Sequence, residues 1–453
     1  MTRILPRVLA LAAALACLFS SLAAQDEDFH VYGEAPRLLL GKQRLRLLQR
    51  ERERKSVRWE HFAALVEGGA PMPEPGFASA LHYRVSGNAA SGRQAVEWAL
   101  GNANDLRQLA LVFDWCGPAM SKAQSDRLGA KIEQALRAAP APGVRGQNAR
   151  VLAAMAIEDR LPDQGQAILR GVVEQWWRGQ IAPALKAGKP ALARTETYAL
   201  FEMMHALADN LRIDLRESAS DYFKQFTTDH IAGHYPAPFP AAENEYRVPV
   251  YVREGEPNLD EAAVSRAAGL AMVAYDNNSQ PSQFLQGWVM QDQFVMRSAL
   301  GSIYEFLWAN PYQPGLSYFH MPLVFHNAAT GRVFARTSWD NDATWIGFFD
   351  GRLQMFLDGQ VQTLKPGATS QPVRIGDAVL MSAPAGDVIR VKIDSEALFL
   401  LGLRPQTAYE VEIDDQELAE VETDAGGTLV LSVPAGLQTE ARIRRRMPAL
   451  TAR

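Results

Sequence analysis

The sequence predicts a multidomain α and β protein, with a helical body over residues 25–311 and a β-rich part over 312–453. Three observations carry that division. At 453 residues the chain exceeds what one typical compact core supports, so length favours two parts over one. From about Gly41 to Trp308 apolar residues recur at intervals of three and four with few β-branched runs, which is the helical period. After Asn310-Pro311 the texture changes to short apolar runs separated by Gly, Asp and Pro, the punctuation of strands.

Residues 1–24 read as an export signal. Arg3 and Arg7 form a cationic start, Val8 to Phe19 is an apolar run, and Ser21-Leu22-Ala23-Ala24 supplies small residues for cleavage before Gln25. The run is shorter than the roughly 20 apolar residues a membrane helix needs, and Asp26-Glu27-Asp28 follows at once. The expectation is a periplasmic or secreted protein with no stable membrane insertion after cleavage. Cys17 leaves with the signal, so Cys116 is alone and no intrachain disulfide is available. The formal charge of -5 falls by two, to -7, when Arg3 and Arg7 are removed. A net acidic chain argues against a nucleic-acid partner, although a few arginines lining one cleft can still focus a positive field.

Within the body, Leu45, Leu47 and Leu48 in a densely charged stretch predict a surface helix with one buried stripe. Helices are predicted over Ala78 to Val85 and Gly92 to Leu100, divided by the turn residues Ser86-Gly87-Asn88. Leu106 to Trp115 and Ser121 to Ala138 follow around Gly117-Pro118, with Ser121 as N-cap. Then come Asn148 to Ile157, Gln164 to Trp177, Tyr198 to Asn210, Glu217 to Ile231, Asp260 to Tyr275 and Phe294 to Trp308. Helix pairs joined by short turns suggest hairpins wound either as a solenoid or as a closed or partly closed α/α toroid, and no fixed-period repeat supports the solenoid. Between His234 and Leu259 the pattern fails, with five prolines interleaved with Tyr235, Phe239, Tyr246 and Tyr251; a long irregular segment in a helical body is more often functional than idle.

Strands are predicted over Val333 to Ala335, Trp345 to Phe349, Val373 to Ser382, Val388 to Ile393 and Leu398 to Leu401. Tyr409-Glu410-Val411-Glu412-Ile413 alternates strictly and marks a half-exposed strand, and Asp424-Ala425-Gly426-Gly427 is a hairpin turn into Thr428 to Val433. Arg442 to Arg446 reads as a solvated strand end.

Four segments together resemble the heparinase II/III-like and alginate-lyase-like polysaccharide lyases. They are Pro36-Arg37-Leu38-Leu39-Leu40, LHYRVSGNAASGRQAVEWAL, LALVFDWCGPAMS and RVFARTSWDNDATWIGFFDG, which together span most of residues 36–360. The resemblance implies an incomplete (α/α) toroid followed by an antiparallel β-sandwich domain, with a cleft between them for acidic polysaccharide; no cofactor is expected. It also implies β-elimination at a uronic acid: a neutral amide polarises the carboxylate, a Tyr or His takes the C5 proton, and a Tyr returns one to the leaving oxygen.

Carried over residue by residue, the resemblance points to Asn148 as the amide and to Tyr198, in Glu196-Thr197-Tyr198, as the catalytic tyrosine. This segment lacks the family's Gly and is shorter. Where active members carry His-x-His after the strand Trp345 to Phe349, the sequence reads Asp350-Gly351-Arg352-Leu353-Gln354, and no histidine follows His326. His205 lies near Tyr198 on one helix face, and the opposing reading is a satisfied core histidine. His230 and His234 have the i,i+4 spacing of metal ligands, but the helix ends near Gly233 and no Glu follows His230, so no metal site is assigned; a pair at the cleft mouth is the sharper reading. His234 and Tyr246 join the catalytic candidates. Arg194, Tyr235, Arg247 and Tyr251 are the substrate-binding candidates, since aromatics stack on sugars and Arg pairs carboxylates; plain packing accounts for them about as well. Paired tryptophans such as Trp176-Trp177 read as core. Two other functions stay open: non-catalytic glycan binding or a structural role after loss of the histidine segment, and hydrolysis, which needs two carboxylates that nothing in the sequence pairs.

Overall fold

The computed structural model describes residues 28–138, 142–241, 247–292, 298–365, 372–384, 388–414, 417–432 and 439–446. Residues 1–24, read above as an export signal, and Tyr246 lie outside the described residues. The chain has a helical N-terminal part and a sheet-rich C-terminal part.

The helices follow the sequence pattern closely where caps are strong. Asn88 accepts from the Ala90 N–H to start Ala89–Leu100, Asp105 caps Leu106–Trp115, and Ser121 forms a capping box with Gln124 on Lys122–Arg137. Weaker signals moved boundaries. The helix carrying Asn148 begins at Gly143, and the single helix predicted over Glu217 to Ile231 is a 3-10 turn, Leu215–Ala219, and two short helices, Ser220–Lys224 and Phe226–Ala232. Helices Val57–Glu67 and Gln280–Val289 lie between the predicted ones.

Long-range packing gives the helices a cyclic order. Pro75–Ser86 packs on Leu106–Trp115, which packs on Gly143–Ala156, then Thr197–Leu211, Leu259–Tyr275, Ala299–Trp308 and Val57–Glu67, which returns to Pro75–Ser86. The ring is pinned at its start by Asp114, whose Oδ2 accepts the Arg37 and Leu38 backbone N–H groups at 2.9 Å each, while Trp115 Nε1 donates to Leu38 O. Trp177 is fully buried and donates to Leu215 O and Ser218 Oγ, a core residue as expected.

In the segment without helical pattern, β1 (His234–Pro238) and β2 (Arg247–Pro249) form a short antiparallel ribbon. The C-terminal part holds three larger sheets. The first is an antiparallel meander of β3 (Val324–Asn327), β4 (Arg332–Arg336), β5 (Trp345–Phe349), β6 (Arg352–Leu357) and β7 (Gln360–Leu364). The second, in order β14-β11-β9-β8, contains Leu429–Ser432, Ala397–Leu401, Ala378–Ser382 and Val373–Ile375. The third, in order β10-β15-β12-β13, contains Val388–Ile393, Thr439–Arg445, Ala408–Ile413 and Glu417–Glu422.

This arrangement corrects the expected purely antiparallel two-sheet sandwich in two ways. Strands β9 and β11 pair in parallel, because the intervening β10 crosses into the neighbouring sheet. The three sheets also stack in layers, by the period-two alternation of strand side chains. In β4 and β5, Phe334, Trp345 and Phe349 join the core of the helical body, whereas Val333, Ala335, Ile346 and Phe348 pack against Phe399 and Leu401 of β11. From β11, Leu398 and Leu400 face the opposite way, against Val391, Val411 and Ile443 of the third sheet. Burial on both faces explains why β4 and β5 read as nearly continuous apolar runs. The basic run is a paired strand: Arg444 Nε meets Glu410 Oε2 at 2.6 Å and Arg442 meets Glu412 at 3.4 Å, so the acidic alternation on β12 is its complement.

Candidate functional site

A cleft of about 750 Å³ lies where the helical part meets the first large sheet. Its lining comes from distant stretches of chain: Arg145, the 3-10 turn Arg194–Glu196, the helix Phe226–Ala232, the loop after β2, the helix Leu259–Tyr275, the start of β4 and the turn after β5.

Two ion pairs cross the seam in opposite directions. Arg194, on the helical side, donates to Asp350 Oδ2 in the β5–β6 turn at 3.3 Å. Arg332, opening β4, donates from Nη1 to Asp229 Oδ2 on the helical side at 2.7 Å, with both side chains about nine-tenths buried. Each pair leaves polar atoms unused. Arg194 Nη1, Arg332 Nε and Asp229 Oδ1 are buried and have no hydrogen-bond partner. Burial pushes the Arg194 guanidinium below its ordinary value, helped by Arg332 nearby; burial does the same at Arg332, but Asp229, Tyr222 and Asp350 together outweigh it and hold Arg332 above.

Next to Asp229 is His230, whose Nε2 is likewise buried and unpartnered. Burial lowers its pKa to about 4, so the imidazole is neutral at neutral pH. That edge packs closely against Gly269 on the facing helix, where a Cβ would stand 3.2 Å from Nε2, so only a residue without a side chain fits opposite it. His234 is more constrained. Its Nδ1 lies 2.6 Å from His230 O, an acceptor, which assigns the proton to Nδ1 and leaves Nε2 to accept from Ser265 Oγ at 3.0 Å. Burial first, then the His230 ring, holds it well below the usual histidine value. The cleft wall at Glu196 is shaped by Gly143, which has φ of +78° and whose Cβ would fall 2.5 Å from Glu196 Oε1. A side chain there meets both backbone strain and a collision.

Of the residues singled out from sequence, Arg194, Tyr198, His234 and Tyr251 line the cleft. Tyr198 presents its ring, being only 5% exposed, while its hydroxyl donates to Glu202 Oε1 at 2.7 Å and accepts from Trp308 Nε1 at 3.1 Å. Burial, and then the Glu202 carboxylate, raise its pKa well above 10. Asn148 belongs to the same buried network beneath the cleft: its Nδ2 donates to Glu202 Oε2 at 2.6 Å, and Arg107 grips the same carboxylate through Nε and Nη2 at 2.6 and 2.7 Å. Its Oδ1 has no partner.

His205 sits outside the cleft lining, with Nε2 donating to Ala271 O at 2.9 Å and its ring against Trp308 and Tyr275. Tyr235 is buried and donates to Gln354 Oε1 at 2.8 Å, which fastens the ribbon to the first sheet; the Gln354 amide in turn donates to Tyr251 O. Arg247 lies on the other side of the ribbon, donating to Pro236 O, Gln291 and Asn341. Tyr246 is outside the described residues. The structure therefore brings Arg194, Tyr198, His230, His234 and Tyr251 together with three residues the sequence did not single out for the site: Asp229, Arg332 and Asp350. Asp350 stands where the resemblance set out above leads to the expectation of a His-x-His segment. It and Gly351 have φ of +51° and +71°, a two-residue hairpin turn that Asp-Gly favours.

Among the described residues no group of three or more His, Cys, Asp or Glu side chains could hold a metal ion, and no helix is long and apolar enough to cross a membrane. No family model and no curated protein sequence matches the chain. Among solved structures, a chain described as a glycoside hydrolase aligns over 94% of this chain and 80% of its own, at a TM-score of 0.30 and 8% identity, a likeness that carries no argument about fold or activity.

Proposed function

We propose that the protein is an exported, carbohydrate-active, lyase-like protein that takes an acidic sugar chain into the seam cleft and cleaves it by β-elimination. The observation that carries this reading is the convergence in one cleft of unpartnered Arg194 and Arg332 N–H groups with the unpartnered His230 Nε2. On this reading, the cyclic helix order is an α/α toroid over residues 25–311, and the layered sheets over 312–453 close its open side.

Elimination next to a carboxylate needs the carboxylate neutralised, the C5 proton removed and the leaving oxygen protonated. Arg194 and Arg332 supply the first by charge-assisted hydrogen bonds. His230 Nε2, closed off by Gly269 until the substrate displaces that contact, takes the C5 proton; the electron pair forms the C4=C5 double bond as the C4–O bond breaks. The imidazolium then returns that proton to the leaving oxygen, so one group serves as base and acid. A bound carboxylate favours the protonated form and lifts the burial-depressed basicity of His230 as the substrate enters. His234 and Ser265 position the helix end that carries His230, through the 2.6 Å contact to its carbonyl. Tyr198 and Asn148 hold the cleft floor through Glu202.

Hydrolysis on this architecture is less favoured, because it needs two available carboxylates. Of the cleft carboxylates, Asp229 is engaged by Arg332, Asp350 by Arg194, Glu196 by the Arg145 backbone N–H and Glu261 by the Asn258 amide, while Asp260 is exposed at the start of its helix. Glycan binding without turnover is the second reading, favoured by the engagement of the Tyr198 hydroxyl and the Asn148 amide with Glu202. The test is incubation of the mature protein with alginate, pectate and glycosaminoglycans while following the ultraviolet absorbance of an unsaturated end. Product from the wild type and a loss above a hundredfold in His230→Asn, with binding kept, is expected. Binding with no unsaturated product on any polymer gives the second reading; reducing ends without unsaturation give hydrolysis.

A further inference from the structure

We propose that the cleft is built for an unsulfated acidic sugar, with Asp229 as the specificity-determining residue that reads a free hydroxyl beside the bound carboxylate. This rests on the acidic-sugar reading above and narrows it to a substrate class.

The unused hydrogen-bonding capacity of the cleft is mixed in sign. Two donors, Arg194 Nη1 and Arg332 Nε, ask for ligand oxygens that accept. Asp229 Oδ1 asks for the opposite, because an ionised carboxylate oxygen can only accept, so the ligand must bring an O–H or N–H donor. Arg332 binds Asp229 through Nη1 and Oδ2, so its free Nε and the free Oδ1 belong to one rigid pair. A sugar unit with a carboxylate and a nearby free hydroxyl satisfies both halves of that pair.

A sulfate ester on that hydroxyl fails twice. It removes the donor that Asp229 requires, and it sets an anion against a carboxylate whose side chain is only 9% exposed, where water screens little. The surroundings compensate little, since Arg194 and Arg332 are each already paired with one aspartate, Arg145 and Arg253 at the rim donate to the Thr195 and Glu256 carbonyls, and Glu196 lines the same cleft. A site that must hydrogen-bond a substrate hydroxyl discriminates strongly against the analogue lacking it, because its own buried group is left unpaired.

The experiment titrates the full mature chain calorimetrically with size-defined oligouronates cut from alginate and from pectate, each as the free acid, the O-sulfated form and the carboxyl-reduced form. Conditions are chosen so that no unsaturated product accumulates. The expected result is binding of a free acid, at least tenfold weaker binding of its O-sulfated form, and loss of binding on carboxyl reduction. In Asp229→Asn the ratio between free acid and sulfated form should shrink at least threefold, because a neutral amide no longer repels the sulfate. Sulfated forms binding as tightly as the free acids, or more tightly, overturn the proposal while leaving the acidic-sugar reading in place. Equal binding of the carboxyl-reduced forms, or no binding by any probe, overturns both. If Asp229→Asn fails to fold, as judged by circular dichroism, the wild-type titrations still decide.

Discussion

Replacing Tyr198 by Phe removes a single oxygen and separates two roles for this residue. The hydroxyl donates to a fully buried carboxylate, Glu202, at 2.7 Å and satisfies Trp308 Nε1 at 3.1 Å. Losing a hydrogen bond to a charged acceptor costs about 1.5–3 kcal/mol, and the stranded indole N–H adds to it, so a loss of about 3 kcal/mol is expected. The ring stays, so the cleft wall keeps its shape. Urea unfolding, followed by tryptophan fluorescence, should show a lower midpoint at unchanged slope. Turnover of the polymer found by the absorbance screen should change by less than about fivefold. A variant that keeps its midpoint but loses turnover by more than a hundredfold refutes the reasoning, because Tyr198 would then be giving its proton to substrate.

Glu202→Gln should be more damaging, by about 3–5 kcal/mol, since it removes the charge that Arg107 grips with two nitrogens and leaves that guanidinium with Glu74 alone; thermal unfolding measures it. Stability should also fall with acidity in a defined window. His230 has a folded pKa of about 4 against ~6.5 unfolded, so between those values the unfolded chain binds more protons. Its contribution, about 3 kcal/mol at 1.36 kcal/mol per unit, is present above pH ~6.5, is lost as pH falls towards 4, and changes no further below that. Urea midpoints across that range should slope less in His230→Asn, and an unchanged slope would sink the assignment. Gly269→Ala places a methyl group 3.2 Å from His230 Nε2 and should cut turnover at least tenfold while circular dichroism stays the same; full activity would show that substrate approaches elsewhere.

How far the molecule could be read from its sequence depended on the range of the interactions. Helices such as Leu106–Trp115, with its Asp105 cap, are written locally, and so is the strand Trp345–Phe349. The failure of helical pattern after His234 marked a stretch that borders the cleft, although His234–Pro238 and Arg247–Pro249 pair as a ribbon whose Tyr235 is consumed by a bond to Gln354. The missed cleft residues share one property: their meaning lies in a partner far along the chain. Asp229 looks like the polar side of a short helix until Arg332 is placed against it, and Arg332 looks like a strand end. Asp350 did carry a local signal, the Asp-Gly turn dipeptide, but its pairing with Arg194 is visible only once the sheet lies on the body. The layering of three sheets was hidden for the same reason, since alternation along β11 tells which residues face apart and not what each face meets.

The aromatic face of the first sheet is an inseparable part of the helical half. Phe334, Trp345, Phe349 and Phe356 are at most 5% exposed because the helices cover them, so a chain cut near Tyr312 would bare a greasy wall on one fragment and strip the lid from the other. The two halves recognised by composition are thus units of architecture but not of survival: neither would stay soluble by itself, and heat or denaturant should melt that junction and the ring of helices together, in one step.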